Sequence, residues 1–111
     1  MRVQITPTAH NDLKEIHAYI TDEFKNPQAA INVVSRITKR LRSLFSFPAM
    51  GAPLSSIINV ETDYRFLVCG NYTVFYRYDS NFVNVIRVLY SKRDFVNILF
   101  GKSIIFDDET D

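Results

Sequence analysis

Residues 64–90, YRFLVCGNYTVFYRYDSNFVNVIRVLY, contain three runs of aromatic and β-branched residues separated by short polar turns. The runs cover 64–68, 72–78 and 82–90, and they are rich in the residue types that strands favour. Cys69-Gly70-Asn71 and Asp79-Ser80-Asn81 supply turn residues between the runs. The pattern predicts an antiparallel meander of three strands.

Two helices are predicted before the meander. Thr6-Pro7 and Asn26-Pro27 each place a capping side chain before a proline, which is a helix start signal. The second helix is expected to run to about Phe45, and Asp12 in the first is expected to face solvent. The link between the helices is only a few residues long, so they should form an antiparallel hairpin. The apolar stripes that recur every three or four residues are Ala9, Leu13, Ile16, Ile20 and Phe24 in the first helix, and Ala30, Val33, Val34, Ile37, Leu41 and Leu44 in the second.

A short strand at 2–6 and a short helix after Asp94 complete the predicted element order. The fold class is therefore α+β, with a two-helix hairpin packed on an antiparallel sheet. The chain has 111 residues, enough for one domain, which we place at 1–106. An acidic tail follows at 107–111, and without it the chain has 13 basic and 8 acidic residues.

Composition excludes several classes of protein. A single cysteine excludes a disulfide framework and a multi-cysteine zinc site. His10 and His17 lie two helical turns apart and no third ligand is apparent, so we predict no metal site. We also expect no cofactor. No apolar run approaches the roughly 18 residues of a membrane span. We therefore expect a cytoplasmic protein that does not contact membranes.

Strand register decides which side chains share a sheet face. If both turns have three residues, Val68 lies opposite Tyr72 and Tyr78 opposite Phe82. A two-residue first turn would move Arg65 to the helix side, where desolvating a guanidinium is costly, so we expect the three-residue register. In that register the helix-facing residues are Tyr64, Phe66, Tyr72, Val74, Ile86 and Val88. The opposite face then carries Arg65, Arg77 and Arg87, interleaved with Leu67, Thr73 and Phe75 and extended by Lys92 and Arg93.

The predicted basic face suits a polyanion, because arginine binds phosphate oxygens in a forked geometry and aromatic rings support bases. The predicted binding residues are therefore Arg65, Arg77, Arg87, Lys92 and Arg93. The alternative is that these arginines pair with Asp63, Asp79 or Asp94. A second basic run, Arg36, Lys39, Arg40 and Arg42, is either a solvated outer face of the second helix or a contact for a partner or nucleic acid.

Several motifs, each weak alone, occur in a fairly specific order along the chain. They are Thr6-Pro7-Thr8-Ala9, Asp12-Leu13, Ile16 and Tyr19-Ile20, then Leu44, Pro48, Gly51, Tyr64-Arg65, Tyr72-Thr73-Val74-Phe75-Tyr76, and Ile86 through Asp94. In this order they resemble RelE/ParE-type toxins of bacterial toxin–antitoxin systems, over roughly residues 2–99.

The resemblance implies a helical hairpin on an antiparallel sheet and growth inhibition relieved by a cognate antitoxin. RelE-like members cleave mRNA in the ribosomal A site, whereas ParE-like members poison DNA gyrase. Arg65 matches a lysine position of the RelE-type catalytic set, and Arg93 matches its last arginine. Leu67, Thr73 and Leu99 fall where that set has a lysine, an arginine and a tyrosine.

Cleavage of RNA without a metal needs a base, an acid and charge stabilisation. Arginines supply the last of these, and their pKa is too high for a base. We therefore expect a ParE-like gyrase inhibitor with a role in plasmid stabilisation, as a homodimer or a toxin–antitoxin hetero-oligomer. The alternatives are a RelE-like endoribonuclease acting on ribosome-bound mRNA and a decayed, non-toxic binding module. The candidate catalytic residues for the nuclease alternative are Arg65, Arg87, Arg93 and Tyr90.

Overall fold

The computed structural model describes residues 2–101, and the predicted acidic tail lies outside the described residues. The predicted α+β fold is confirmed, with α2 ending two residues before Phe45. No helix within residues 2–101 is long and apolar enough to cross a bilayer. The elements are β1 (Arg2–Ile5), α1 (Pro7–Phe24), α2 (Pro27–Ser43), β2 (Ala52–Pro53), a 3-10 turn (Leu54–Ser56), β3 (Arg65–Cys69), β4 (Tyr72–Tyr78), β5 (Phe82–Tyr90) and α3 (Phe95–Phe100).

Both helix starts form as the sequence predicts. The Thr6 hydroxyl accepts a hydrogen bond from the Ala9 N–H at 3.1 Å, and the Asn26 side chain accepts one from the Ala29 N–H at 3.1 Å. A proline follows each cap. Lys25, with φ of 50°, ends α1 in the left-handed region and turns the chain directly into α2.

The sheet has five strands in the order β1-β5-β4-β3-β2. The predicted meander β3-β4-β5 is antiparallel, and β2 adds a short antiparallel edge strand. β1 pairs with the first half of β5 in parallel, so the sheet is mixed rather than purely antiparallel. Both helices lie on one face, which we call the inner face, and α3 lies on the other, the outer face.

Two apolar clusters hold the layers together, one on each side of the sheet. The inner cluster joins the α1 and α2 stripes to the sheet, with Tyr76 and Val74 fully buried at its centre. The outer cluster places Leu54, Phe75 and Leu89 under the side chains of α3. The outer face is therefore partly covered rather than open. Phe24, predicted in the buried stripe, is 65% exposed and contacts Tyr19 instead.

The expected register of the first hairpin is wrong. Cys69 pairs with Tyr72, which leaves a two-residue turn of Gly70 and Asn71. Gly70 has φ of 60°, the positive value that tight hairpin turns require. The shift by one residue reverses the faces of β3. Leu67 and Arg65 therefore lie on the inner side, whereas Phe66 and the neighbouring Tyr64 pack in the outer cluster.

The second hairpin also departs from the expected register. Tyr78 lies opposite Val83 instead of Phe82, and a β-bulge opposite Phe75 and Tyr76 adds one residue to β5. Ile86 occupies the bulge and lines a cavity with Arg77 on the outer face, not the inner face as expected. Beyond the bulge Val88 returns to the inner cluster, as predicted.

Candidate functional site

A groove of about 360 Å³ lies on the outer face of the sheet, where the β3–β4 turn meets the end of β5. We call it the outer groove. Its floor and walls are mainly apolar, and its rim is polar. The apolar lining consists of Ile57, Phe66, Val68, Phe75 and Phe95.

The short helix α3 forms one wall of the outer groove. Asp94 caps this helix by accepting hydrogen bonds from the backbone and side chain of Asn97. Phe95 then stacks on Phe75 of β4 with ring centroids 5.1 Å apart. The wall is thus fixed by aromatic packing on the sheet, so the groove is a formed feature of the fold.

The polar rim combines hydroxyl groups with one cation. Thr73 and Ser91 share a hydrogen bond of 2.8 Å between their hydroxyl oxygens. Lys92 lines the rim, and both Lys92 and the following Arg93 are exposed. Both cations follow the end of β5, where the sequence predicted them. That they bind an anion stays a prediction.

Arg65 is not part of the outer face, which corrects the predicted basic surface. Its Nη2 donates to the carbonyl oxygens of Gly51 at 2.6 Å and Ala49 at 3.2 Å, and its Nε donates to Gly51 at 3.1 Å. These bonds offset the desolvation cost that argued against an inner position. Arg65 therefore holds the connection between α2 and β2.

Arg87 is also directed away from the outer groove. Its guanidinium donates two hydrogen bonds to Asp12 of α1, at 2.8 and 2.9 Å. The carboxylate of Asp12, 5% exposed, holds the pKa of Arg87 above its ordinary value, chiefly through these bonds. The expectation that Asp12 faces solvent is wrong, because a strand 75 residues later supplies its partner.

Arg77 does lie on the outer face, as predicted. It forms a 2.7 Å ion pair with Asp63, which raises the pKa of its guanidinium, and it lies over the Tyr64 ring at 5.6 Å. Pairing with Asp63 is one of the alternatives to ligand binding that the sequence left open for the strand arginines. The predicted common surface of Arg65, Arg77 and Arg87 therefore does not form.

Tyr90 lies at the end of β5, directly opposite Tyr72, with the two rings edge-to-face at 6.0 Å. It is 45% exposed. Burial is the main cause that raises the pKa of Tyr72, followed by the nearby Tyr19 and Tyr90. A raised pKa disfavours the phenolate, so Tyr72 is poorly suited to act as a general base.

Of the five positions matched to the RelE-type catalytic set, Arg65, Leu67, Thr73 and Leu99 have structural roles, whereas Arg93 is exposed. Leu67 is buried in the inner cluster, and Leu99 packs in the outer cluster. Thr73 is 8% exposed and bonded to Ser91. The described lining of the outer groove offers a cation, hydroxyls and apolar surface. These groups are of the kinds that bind an anionic or amphipathic ligand, and the described lining includes no carboxylate or imidazole for acid–base chemistry.

Sequence reasoning missed the polar contacts that close the connection before β2. The Tyr76 hydroxyl, fully buried, donates to the Pro48 carbonyl at 2.7 Å and accepts from the Gly51 N–H at 2.9 Å. A Cβ at Gly51 would meet the Phe66 carbonyl and the Tyr76 ring. The Pro48 and Gly51 pattern signalled a turn, but nothing in the sequence pointed to a tyrosine 25 residues away.

Two solved structures with a similar fold come from toxin–antitoxin systems. A chain of the chromosomal ParDE system of P. aeruginosa superposes with a TM-score of 0.69 at 20% identity, covering 81% of this chain and 95% of that chain. A chain of the RelBE2 toxin–antitoxin complex of Mycobacterium tuberculosis gives a TM-score of 0.58 at 21% identity, covering 80% and 95%. At these identities the likeness shows the fold of the RelE/ParE class. No curated protein matches the chain significantly.

The family assignment comes from the sequence. Residues 3–95 match the family model described as the ParE toxin of the type II toxin–antitoxin system parDE. The match spans nearly all of β1 through β5 and the cap of α3. The chain belongs to the ParE toxin family, which confirms the superfamily that the sequence motifs indicated.

Proposed function

We propose that this chain is a toxin that arrests growth by inhibiting DNA gyrase, and that a cognate antitoxin neutralises it. The observation that supports gyrase over the ribosome is that four of the five positions matched to the RelE-type catalytic set have structural roles; the exception is the exposed Arg93. Arg65 donates to backbone carbonyls, and Leu67 is buried in the inner cluster. A gyrase poison needs a recognition surface and no acid–base residues of its own.

A ribosome-dependent endoribonuclease is the second candidate. The exposed Lys92 beside the Thr73–Ser91 hydroxyl pair favours it, because this rim resembles an anion-binding site. RNA cleavage further requires a base for the 2′-hydroxyl and an acid for the leaving oxygen. Tyr90 lines the outer groove and is 45% exposed, so it would be the replacement group.

An apolar cavity between β1 and α2 supports the antitoxin as a partner. It has a volume of about 550 Å³, and its apolar lining includes Val3, Leu41 and Phe45. Ile5 and Phe45 are 37% and 57% exposed there. Arg42 lines the same cavity, so an extended segment with apolar side chains and a carboxylate would fit it. A toxin–antitoxin hetero-oligomer is the assembly we propose.

Expression in a bacterial host tests the toxin assignment. We expect induction of this chain alone to arrest growth, and coexpression with the neighbouring reading frame to restore it. The variant that tests the antitoxin contact is Phe45→Asp, since the exposed side chain of Phe45 can change without loss of the core. This variant should arrest growth and resist rescue. Normal growth with abundant folded wild-type protein would contradict the assignment.

A further inference from the structure

The longest acid-free stretch of the chain contains a cluster of cations on one helix. No Asp or Glu occurs from Asn26 to Val60, and within this stretch four cations fall between Arg36 and Arg42. All four are exposed. The two ion pairs among residues 2–101, Asp12–Arg87 and Asp63–Arg77, do not involve α2. The cations of α2 are therefore available to an external anion.

One side of α2 carries mainly hydrogen-bond donors and cations, with the half-exposed Ile31 as its apolar neighbour. Positions three and four apart share a helix face, so one row runs from Gln28 to Lys39 and spans roughly 16 Å at 1.5 Å per residue. The opposite side of the helix is occupied, because Ala30, Ile37 and Leu41 are buried in the inner cluster. We call this row the α2 polar face; its members are Gln28, Asn32, Ser35, Arg36 and Lys39, all of them exposed.

The helix dipole does not account for this arrangement. Cations in the last turn of a helix stabilise its negative end, and Arg40 and Arg42 lie in that turn of α2. Arg36 lies almost two turns before the end, outside the reach of this effect. The dipole also favours acidic residues in the first turn of a helix, and α2 has none there. Compensation of the dipole therefore does not explain why the whole helix lacks carboxylates.

The chemistry of the α2 polar face matches the backbone of a nucleic-acid duplex. Arg, Lys, Ser, Asn and Gln are the side chains that contact phosphate oxygens. A row of roughly 16 Å runs beside about five phosphates of one strand at 3.4 Å each. No aromatic side chain belongs to this face, whereas proteins that bind single strands stack bases on aromatic rings. A membrane contact would need the apolar side of α2, which is buried.

We propose that the α2 polar face binds duplex DNA through its phosphate backbone, without reading sequence. This inference rests on the proposed function, because it adds a DNA contact to a toxin whose target is an enzyme loaded with DNA. The toxin would then hold both the enzyme and the DNA segment bound to it. Arg36 and Lys39 supply the central charges of the contact.

The test is the salt dependence of binding to a fluorescent 20-base-pair duplex of mixed sequence. The double variant Arg36→Gln/Lys39→Gln is compared with Arg2→Gln/Lys25→Gln, which removes two exposed cations outside α2. We expect the wild type and the Arg2/Lys25 variant to share one slope of log K against log salt. The slope of the Arg36/Lys39 variant should be shallower by about 2, which is about 1 for each phosphate contact removed.

Three results would overturn the proposal. The first is no measurable duplex binding by the wild type at low salt. The second is an equal loss in both double variants, since binding would then follow net charge alone. The third is stronger binding to single-stranded RNA or to phosphatidylglycerol vesicles than to the duplex. Supercoiling assays on the same preparations distinguish failure of the DNA contact from failure of the proposed function. Gyrase inhibition without duplex binding rejects only the DNA contact. Duplex binding without gyrase inhibition rejects gyrase as the target.

Discussion

Asp12 of α1 receives three hydrogen bonds from β5, two from the Arg87 guanidinium and one from the Val88 N–H at 2.9 Å. β1 covers the edge of β5 only as far as Val85, so the edge beyond it lacks a neighbouring strand. The Asp12 carboxylate occupies that edge and satisfies a backbone donor that would otherwise be buried without a partner. The pair therefore joins the first helix to the last strand.

Asp12→Asn should destabilise the protein by about 2–3 kcal/mol. The amide keeps an acceptor for Val88 but removes the charge opposite Arg87, and breaking a buried ion pair costs about 3–5 kcal/mol when both partners are fully buried. The side chain of Arg87 is 23% exposed, which reduces the loss. Urea denaturation measures the change. Asp22→Asn, an exposed change on the same helix, is the control and should stay within about 0.5 kcal/mol. An Asp12→Asn midpoint equal to that of Asp22→Asn would show that the pair contributes nothing.

Arg65 and Arg77 lie on neighbouring strands and should respond differently to alanine. Arg65→Ala leaves the carbonyls of Gly51 and Ala49 without a donor, so we expect a loss of about 1.5–3 kcal/mol. Arg77→Ala breaks an ion pair whose side chains are 49% and 60% exposed, so we expect less than about 1 kcal/mol. Thermal and urea unfolding of both variants provide the comparison. The reverse order of stability would refute the structural role assigned to Arg65.

Lys92 lines the rim of the outer groove, and the next residue, Arg93, is also an exposed cation. Lys92→Ala and Arg93→Ala should each weaken growth arrest while changing the free energy of unfolding by no more than about 0.5 kcal/mol. Survival after induction, read alongside urea midpoints, tests this. Lys14→Ala, an exposed change on α1, controls for loss of one charge. Full toxicity of both variants would remove these residues from the proposed binding surface.

The fold was largely predictable because its signals are local. Thr6-Pro7 and Asn26-Pro27 mark helix starts within three residues of the cap, and the stripe of α1 repeats every turn. The register of β3 against β4 could not be predicted, because it depends on whether Cys69 belongs to the strand or to the turn, a difference of one residue. The bulge at Ile86 likewise leaves no compositional mark.

The candidate site was less predictable than the fold for a related reason. Whether an arginine faces a ligand depends on partners far away in sequence. Asp12 lies 75 residues from Arg87, and Gly51 lies 14 residues from Arg65 in a connection without regular structure. Lys92 and Arg93 were placed correctly at the exit of β5 because their position follows from the strand end alone.

The most direct test of the proposed function uses one preparation of purified protein in two assays. The first measures supercoiling of relaxed plasmid by DNA gyrase, and the second measures cleavage of mRNA on translating ribosomes. Leu67 and Leu99 pack in the two apolar clusters, and Arg65 donates to backbone carbonyls. These RelE-type positions therefore supply no acid–base pair. We therefore predict that the protein inhibits supercoiling and leaves mRNA intact. Cleavage of mRNA at defined codon positions together with normal supercoiling would contradict the account.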